Sequence, residues 1–267
     1  MRELPGGQQG DMWHEHRLGR ITASRMNDLT TYSKAKGKEG VELQKRIDYR
    51  FELLAERLTR RLQKHYVTPA MEYGIEAEDE AKQAFQLATG KMLMPVGFVL
   101  HPVFNFAGCT PDSVLEDAVY ETKNPESTTY LEWFFGEGCP EEHVKQIQWQ
   151  IACTKKSHGI FHARDARQPE KIRNIIRYID RDSELIAKLE AEAVKMDAEI
   201  EALIAKAGLP PTEWVIEGGE LALPSKYDPE TKFNRQCRES LEALEVLDDD
   251  WEQIIEKRVQ RVEEGVA

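Results

Sequence analysis

The spacing of apolar and polar positions changes character twice along the chain. A first element is expected around Trp13 to Leu18, followed by Ile21-Thr22-Ala23-Ser24, where Thr22 or Ser24 is placed to cap a short helix running to about Leu29. The polar stretch Thr31 to Gly40, with Lys34, Lys36 and Lys38, reads as a mobile loop. From Val41 to Leu62, Leu43, Ile47, Phe51, Leu54 and Leu58 recur every three or four residues, which predicts an amphipathic helix. Its other face carries Arg46, Arg50, Arg57, Arg60 and Arg61 and reads as solvated. Pro69 opens a second helix through Ala88, closed by Thr89-Gly90 with glycine at the usual terminating position.

Beyond Gly90 the period shortens. Val96 to Leu100, Phe104 to Cys109, Val114 to Leu115 and Val119 to Lys123 are short apolar or alternating runs, separated by Pro, Asn, Gly and Asp as hairpin strands are. Helices are expected again at about Ser127 to Phe135 and Glu141 to Thr154, and strands at Gly159 to Ala163 and Ile172 to Ile179. A central mixed sheet flanked by helices, an α/β fold, is the simplest assembly. After Asp180, Leu185, Leu189, Met196, Ile200 and Leu203 mark one long helix, ending before Gly208-Leu209-Pro210-Pro211. A second, from about Asn234 to Val262, is marked by Cys237, Leu241, Leu244, Trp251, Ile255 and Val262. The expected division is a core at 1–180 and an acidic helical extension at 181–267.

Charge refines this picture. The net charge of -12 argues against a plain nucleic-acid binder, but its distribution is uneven: residues 1–70 carry +5, residues 71–164 carry -7 and residues 165–267 carry -10. An acidic body with a basic N-terminal segment suits an enzyme that touches a polyanion along one limited surface. No apolar run approaches the roughly eighteen residues of a membrane span. The segment Met1 to Asp11 lacks the basic flank and apolar run of a signal peptide, so a cytoplasmic protein without membrane association is expected. Cys109, Cys139, Cys153 and Cys237 are too scattered for a disulfide scaffold or a CxxC zinc site. His14 and His16 lie two apart with no obvious third ligand.

The candidate chemistry lies in Gly108-Cys109-Thr110-Pro111-Asp112-Ser113 and Val119-Tyr120-Glu121-Thr122-Lys123. On a strand, Glu121 and Lys123 emerge on one face, and a hairpin can bring Asp112 beside Glu121. Two carboxylates at one point repel unless a cation lies between them, and hard oxygen ligands suit Mg²⁺ or Mn²⁺. An adjacent lysine can orient a water or stabilise charge developing on a phosphate. A hairpin with a solvated salt-bridge face explains the same triplet equally well.

Trp13-His14-Glu15-His16-Arg17-Leu18-Gly19-Arg20-Ile21-Thr22-Ala23-Ser24, Gly74-Ile75-Glu76-Ala77-Glu78, Thr110-Pro111-Asp112, Glu121-Thr122-Lys123 and Gln146-Ile147-Gln148-Trp149 follow one another in a telling order. Over about Trp13 to Arg164 the chain resembles the lambda-type phage exonucleases, the YqaJ viral recombinase family of the PD-(D/E)xK nuclease superfamily. That resemblance implies an Mg²⁺-dependent 5′-to-3′ exonuclease on ends of double-stranded DNA, leaving a 3′ single strand for a phage single-strand annealing protein in the bacterial cytoplasm. It also implies a homo-oligomer, a trimeric ring around DNA. Carried over by position, Asp112, Glu121 and the backbone carbonyl of Thr122 become metal ligands, with Glu78 contributing from a helix. Lys123 positions the attacking water, Gln146 lies near the centre, and Arg17 and Ser24 contact the 5′-phosphate. Ser113 stands where the family carries Gly.

Read without the resemblance, Glu78 belongs to the solvated acidic run Glu76, Glu78, Asp79, Glu80, Arg17 pairs with a neighbouring acid, Gln146 and Gln148 are surface amides, and Trp149 is core. Two competing functions are another PD-(D/E)xK nuclease, of iron-sulfur or endonuclease type, and a catalytically silent DNA-binding or assembly module. The cysteine spacing argues against the cluster, and the intact Asp112, Glu121 and Lys123 set argues against the silent module.

Overall fold

Short β-prone runs between turn residues and longer amphipathic segments alternate along the chain, and the computed structural model, which describes residues 1–5, 8, 11–62, 73–74, 77–136 and 138–214, assembles them into a mixed α/β fold. In chain order the elements are β1 (Arg2–Glu3), α1 (Asp11–Arg17), β2 (Ile21–Thr22), α2 (Met26–Leu29), α3 (Gln44–Thr59), α4 (Glu78–Thr89), β3 (Val99–Leu100), β4 (Ala107–Cys109), β5 (Ser113–Val114) and β6 (Ala118–Lys123). Then follow α5 (Ser127–Phe135), α6 (Glu141–Thr154), β7 (His158–Arg164), β8 (Asn174–Asp180) and α7 (Ser183–Lys206). Of the expected helix from Pro69, residues 69–72 and 75–76 lie outside the described residues while Tyr73 and Gly74 are helical, and the expected helix from Asn234 to Val262 lies wholly outside them.

Instead of one central sheet there are two four-stranded sheets, ordered β1-β3-β4-β2 and β5-β6-β7-β8. Each is mixed: β2 runs parallel to β4 and β6 parallel to β7, while the other neighbours are antiparallel. A bridge between Met94 and Val114 ties the segment leading into β3 to β5. The parallel pair is joined through α5 and α6, as a parallel connection requires.

Helix α6 is the central strut. Its residues Gln146 to Thr154 are all buried, and Trp149, fully buried as a core residue, donates from Nε1 to the Gly108 carbonyl of β4 at 3.1 Å. On the other sheet Ile147 packs directly onto Gly159 of β7, where a Cβ would lie 2.1 Å from Ile147 Cγ2. Glycine is required there because the helix approaches the strand closer than any side chain allows.

Two local expectations change. Neither Thr22 nor Ser24 caps a helix: a 3₁₀ turn, Ala23–Arg25, leaves β2 directly, Thr22 stays extended, and its N–H donates to the Tyr49 hydroxyl at 3.1 Å. The Thr31 to Gly40 loop is closed at its base by an antiparallel bridge between Tyr32 and Glu42, with Ser33 donating to the Val41 carbonyl at 2.8 Å.

The larger correction concerns α3. Arg46 is fully buried and Arg57 nearly so, whereas Leu43, Phe51 and Leu58 of the apolar stripe are exposed. The reason is α7, which lies against α3 with acids facing its arginines. Arg46 pairs with Glu199 at 2.9 Å and with Glu42, Arg50 pairs with Glu199 at 2.8 Å, and Arg57 pairs with Asp197 at 2.8 Å and Glu201 at 2.9 Å. The boundary expected at residue 180 therefore marks no change of packing unit for α7. Capped by Asp182, whose side chain accepts from Leu185 N at 2.9 Å, it buries Ile186, Leu189, Met196, Ile200 and Ile204 in the main core. Past its end, Thr212 bonds Glu201, and the Trp214 ring receives the guanidinium groups of Arg20 and Arg57 at 4.7 and 4.8 Å. No helix among the described residues is long and apolar enough to cross a membrane.

Candidate active site

The site forms where the β5–β6 hairpin ends. Ser113 pairs with Tyr120 and Val114 with Val119, so one further step in register sets Asp112 opposite Glu121. Asp112 Oδ2 accepts the Thr122 backbone N–H at 2.6 Å, closing the hairpin with a side chain after the ladder has ended. Ser113 fits within β5, its hydroxyl donating to the Asp112 carbonyl at 2.6 Å.

Glu121 and Lys123 share one face, as their spacing of two requires, and Lys123 Nζ lies 2.5 Å from Glu121 Oε1. Glu121 is 1% exposed, and a buried carboxylate must find donors. Helix α6 supplies two more: Gln146 Nε2 donates to Oε1 at 2.6 Å and Gln150 Nε2 to Oε2 at 2.5 Å. Residues i and i+4 lie above one another on a helix, so the two amides reach the same carboxylate. Gln148 leaves the helix on another side, donating to the Asp180 carbonyl at 2.7 Å and accepting from Asp182 N at 3.0 Å. Neither Gln146 nor Gln148 is a surface amide.

Negative charge exceeds positive here. Burial raises the Asp112 carboxyl well above the usual carboxylate range, and the charges of Glu121 and Glu78 add to that rise while Lys123 opposes it. Burial works against the Lys123 ammonium, but Glu121 and Asp112 outweigh it and hold its pKa above normal. Glu78, the first residue of α4, is ion-paired to Lys82 at 2.6 Å and faces the group closely enough to act on Asp112. Among the described residues no three His, Cys, Asp or Glu side chains are preassembled as a metal cage. Asp112 and Glu121 are two hard oxygen donors whose mutual repulsion a cation would relieve, and the Thr122 carbonyl is the neighbouring third candidate, so the donor set fits a hard divalent ion.

Of the N-terminal candidates, Arg17 reaches this hairpin through one side chain. Arg17 stacks on Trp13 at 4.5 Å, and Trp13 Nε1 donates to Thr110 Oγ1 at 2.9 Å, two residues before Asp112. Arg17 has no acidic ion-pair partner among the described residues, contrary to the simple surface-pair reading. Ser24 is exposed, and its side chain makes no hydrogen bond among the described residues. Of the cysteines, Cys109 and Cys153 are buried, Cys139 is partly buried, and Cys237 lies outside the described residues.

Sequence reasoning missed Gln150. Its signal was present in Gln146-Ile147-Gln148-Trp149-Gln150, where only the first and last glutamines share a helical face.

With this geometry in place, comparisons with known proteins agree on one kind of relative. The family described as the YqaJ-like viral recombinase domain matches residues 12–157. The crystal structure of an alkaline exonuclease from Laribacter hongkongensis is 33% identical, covering 74% of this chain and 98% of its own with a TM-score of 0.65. The same exonuclease in complex with dAMP matches at a TM-score of 0.66, with the same identity and the same coverage of both chains. A phage related exonuclease from Haemophilus somnus 129PT, at 15% identity and a TM-score of 0.59 over 70% of this chain and 96% of its own, shares the fold. No curated protein matches.

Proposed function

The chain belongs to the YqaJ-like viral recombinase family, and from that premise we propose that this DNA nuclease is a divalent-metal-dependent exonuclease that degrades linear double-stranded DNA from its 5′ ends. One observation carries the reading: Asp112, Glu121 and Lys123 converge at the end of one hairpin, against Gln146 of α6. Asp112, Glu121 and the Thr122 carbonyl would hold Mg²⁺, for which Mn²⁺ substitutes, with Glu78 adding negative charge from α4. When bound, such an ion supplies Lewis acidity and charge neutralisation at the scissile phosphate.

The protein's own groups do the rest. Glu121 and Asp112 raise the pKa of the Lys123 ammonium, which favours its charged form beside them. It orients the attacking water and stabilises charge developing on the phosphate. Gln146 keeps Glu121 turned toward the site. Arg17, braced on Trp13 and tied through Thr110 to the Asp112 loop, engages the 5′-phosphate together with Ser24. The relative's complex with dAMP fits stepwise exonucleolytic hydrolysis, since a mononucleotide is what such hydrolysis releases from either end. The product we propose is a 3′ single strand passed to a phage annealing protein, made by a homo-oligomeric ring around the duplex.

The test compares blunt linear duplex bearing 5′-phosphates, closed circular duplex and single-stranded DNA, all with Mg²⁺. Linear duplex is expected to be digested from its 5′ ends and the circle spared. Asp112→Ala and Lys123→Ala are each expected to abolish cleavage. Digestion by Lys123→Ala at the parent rate would refute the mechanism.

A further inference from the structure

Glu121 is held by three donors, but they are divided unequally between its oxygens. Lys123 and Gln146 both serve Oε1, whereas Gln150 is the one donor to Oε2 among the described residues. Gln150 is completely buried. Its amide cannot be turned the other way, because that would set Oε1 against a carboxylate oxygen at 2.5 Å. In the orientation that remains, Gln150 Oε1 is buried with no hydrogen-bond partner among the described residues.

An unmet buried acceptor is destabilising, and an apolar side chain of similar volume would avoid it. Packing alone thus gives no reason for glutamine at this position. The use of Gln150 lies in its Nε2–H, which points at the oxygen that no other described residue holds. With Oε2 released, only the two contacts at Oε1 resist rotation of the Glu121 carboxylate about its Cγ–Cδ bond, and its orientation is less tightly set.

We propose that Gln150 is a positioning residue for Glu121, acting with Gln146 as a two-amide clamp that orients this carboxylate for a divalent cation. The inference rests on the metal-dependent nuclease reading above. Gln150 touches neither DNA nor the reacting atoms; it acts through Glu121. Partners that orient a metal-binding side chain in this way typically contribute about tenfold to a hundredfold in metal affinity or activity.

The experiment uses the full chain with Gln150→Met, which keeps the volume and removes both polar atoms. Mn²⁺ binding is measured without DNA by electron paramagnetic resonance, DNA-end binding in EDTA by fluorescence anisotropy, and stability by thermal melting. The Mg²⁺ dependence of cleavage is read in parallel. Mn²⁺ affinity is expected to fall about tenfold or more and the Mg²⁺ midpoint to rise to match, with saturating Mg²⁺ restoring most of the rate. DNA-end binding and melting temperature are expected to stay near the parent's, since the lost donor and the removed unmet acceptor offset each other.

Unchanged Mn²⁺ affinity in Gln150→Met, beside a parent that binds Mn²⁺, would overturn the role of Gln150 and leave the nuclease reading standing. A parallel fall in melting temperature, metal binding and DNA binding would reveal a purely structural residue and also overturn it. A parent that binds no Mn²⁺ would overturn both readings together.

Discussion

Replacing Arg46 with Met tests whether the polar seam between α3 and α7 holds the fold as its geometry implies. The Arg46 side chain is fully buried and meets Glu199 through Nη1 at 2.9 Å and Nη2 at 3.2 Å, with Glu42 and Glu192 as further partners. Removing one partner of a buried ion pair costs about 3–5 kcal/mol, because the charge left behind is uncompensated. Glu199 would keep Arg50 at 2.8 Å, which favours the lower end, about 3 kcal/mol. At roughly 2–4 °C per kcal/mol for a domain of this size, the melting temperature should fall by about 6–12 °C. The double variant Arg46→Met/Glu199→Leu removes both charges and fills the space with apolar atoms, so it should recover most of that loss. Thermal and urea melts of the parent, both single variants and the double variant complete the cycle. A loss below about 1 kcal/mol for Arg46→Met, or a double variant as unstable as the sum of its singles, would refute the assignment of this seam as a buried network.

Arg17→Ala should leave Mn²⁺ binding intact while erasing the preference for 5′-phosphate over 5′-hydroxyl ends, read as cleavage rates on the two substrates. Gly159→Ala drives a methyl into Ile147 Cγ2, a contact at 2.1 Å, and should destabilise by about 1–3 kcal/mol in a urea melt, with loss of cleavage as α6 moves away from β6. His162 is fully buried between the Tyr120 hydroxyl at 2.7 Å and Asn174 Oδ1 at 3.0 Å, and burial pushes its pKa down to about 4. Because the folded pKa is depressed below the unfolded value near 6.5, the unfolded chain binds the extra proton, and stability is lost as pH falls from about 6.5 toward 4. Melting curves across that window should fall less steeply for His162→Phe than for the parent.

The strands and helices around the site were legible because each rests on a local rule. Helices at 127–135 and 141–154 and the strand ending at Lys123 stand where the periodicity sets them. Asp112 opposite Glu121 follows from a hairpin of the right length, and Glu121 beside Lys123 from the two-residue period of a strand. The α3 face was illegible for a physical reason. Periodicity assumes that apolar residues turn inward, but the partner of α3 is itself amphipathic in charge, and Glu199 and Asp197 lie about 150 residues further along the chain. Nothing local distinguishes a solvated arginine from one whose acid arrives on a distant helix. The same blindness split one expected sheet into two, since β2 and β4 pair in parallel across 85 intervening residues.

The α3–α7 seam and the two sheets are linked to the site through α6. Helix α7 closes the core over α2, α3 and α6, and α6 brings Gln146 and Gln150 to Glu121. Trp149 and Ile147, on the other sides of the same helix, hold it against Gly108 of one sheet and Gly159 of the other. The direction of the Glu121 carboxylate is therefore set by a helix whose position both sheets and α7 determine together. A perturbation of that packing, as in Gly159→Ala, should act on metal binding without altering any residue that would touch the ion, whereas Arg17→Ala should not act on it at all. If Gly159→Ala lowers stability but leaves Mn²⁺ affinity unchanged, the site is insulated from the core and the coupling through α6 is refuted.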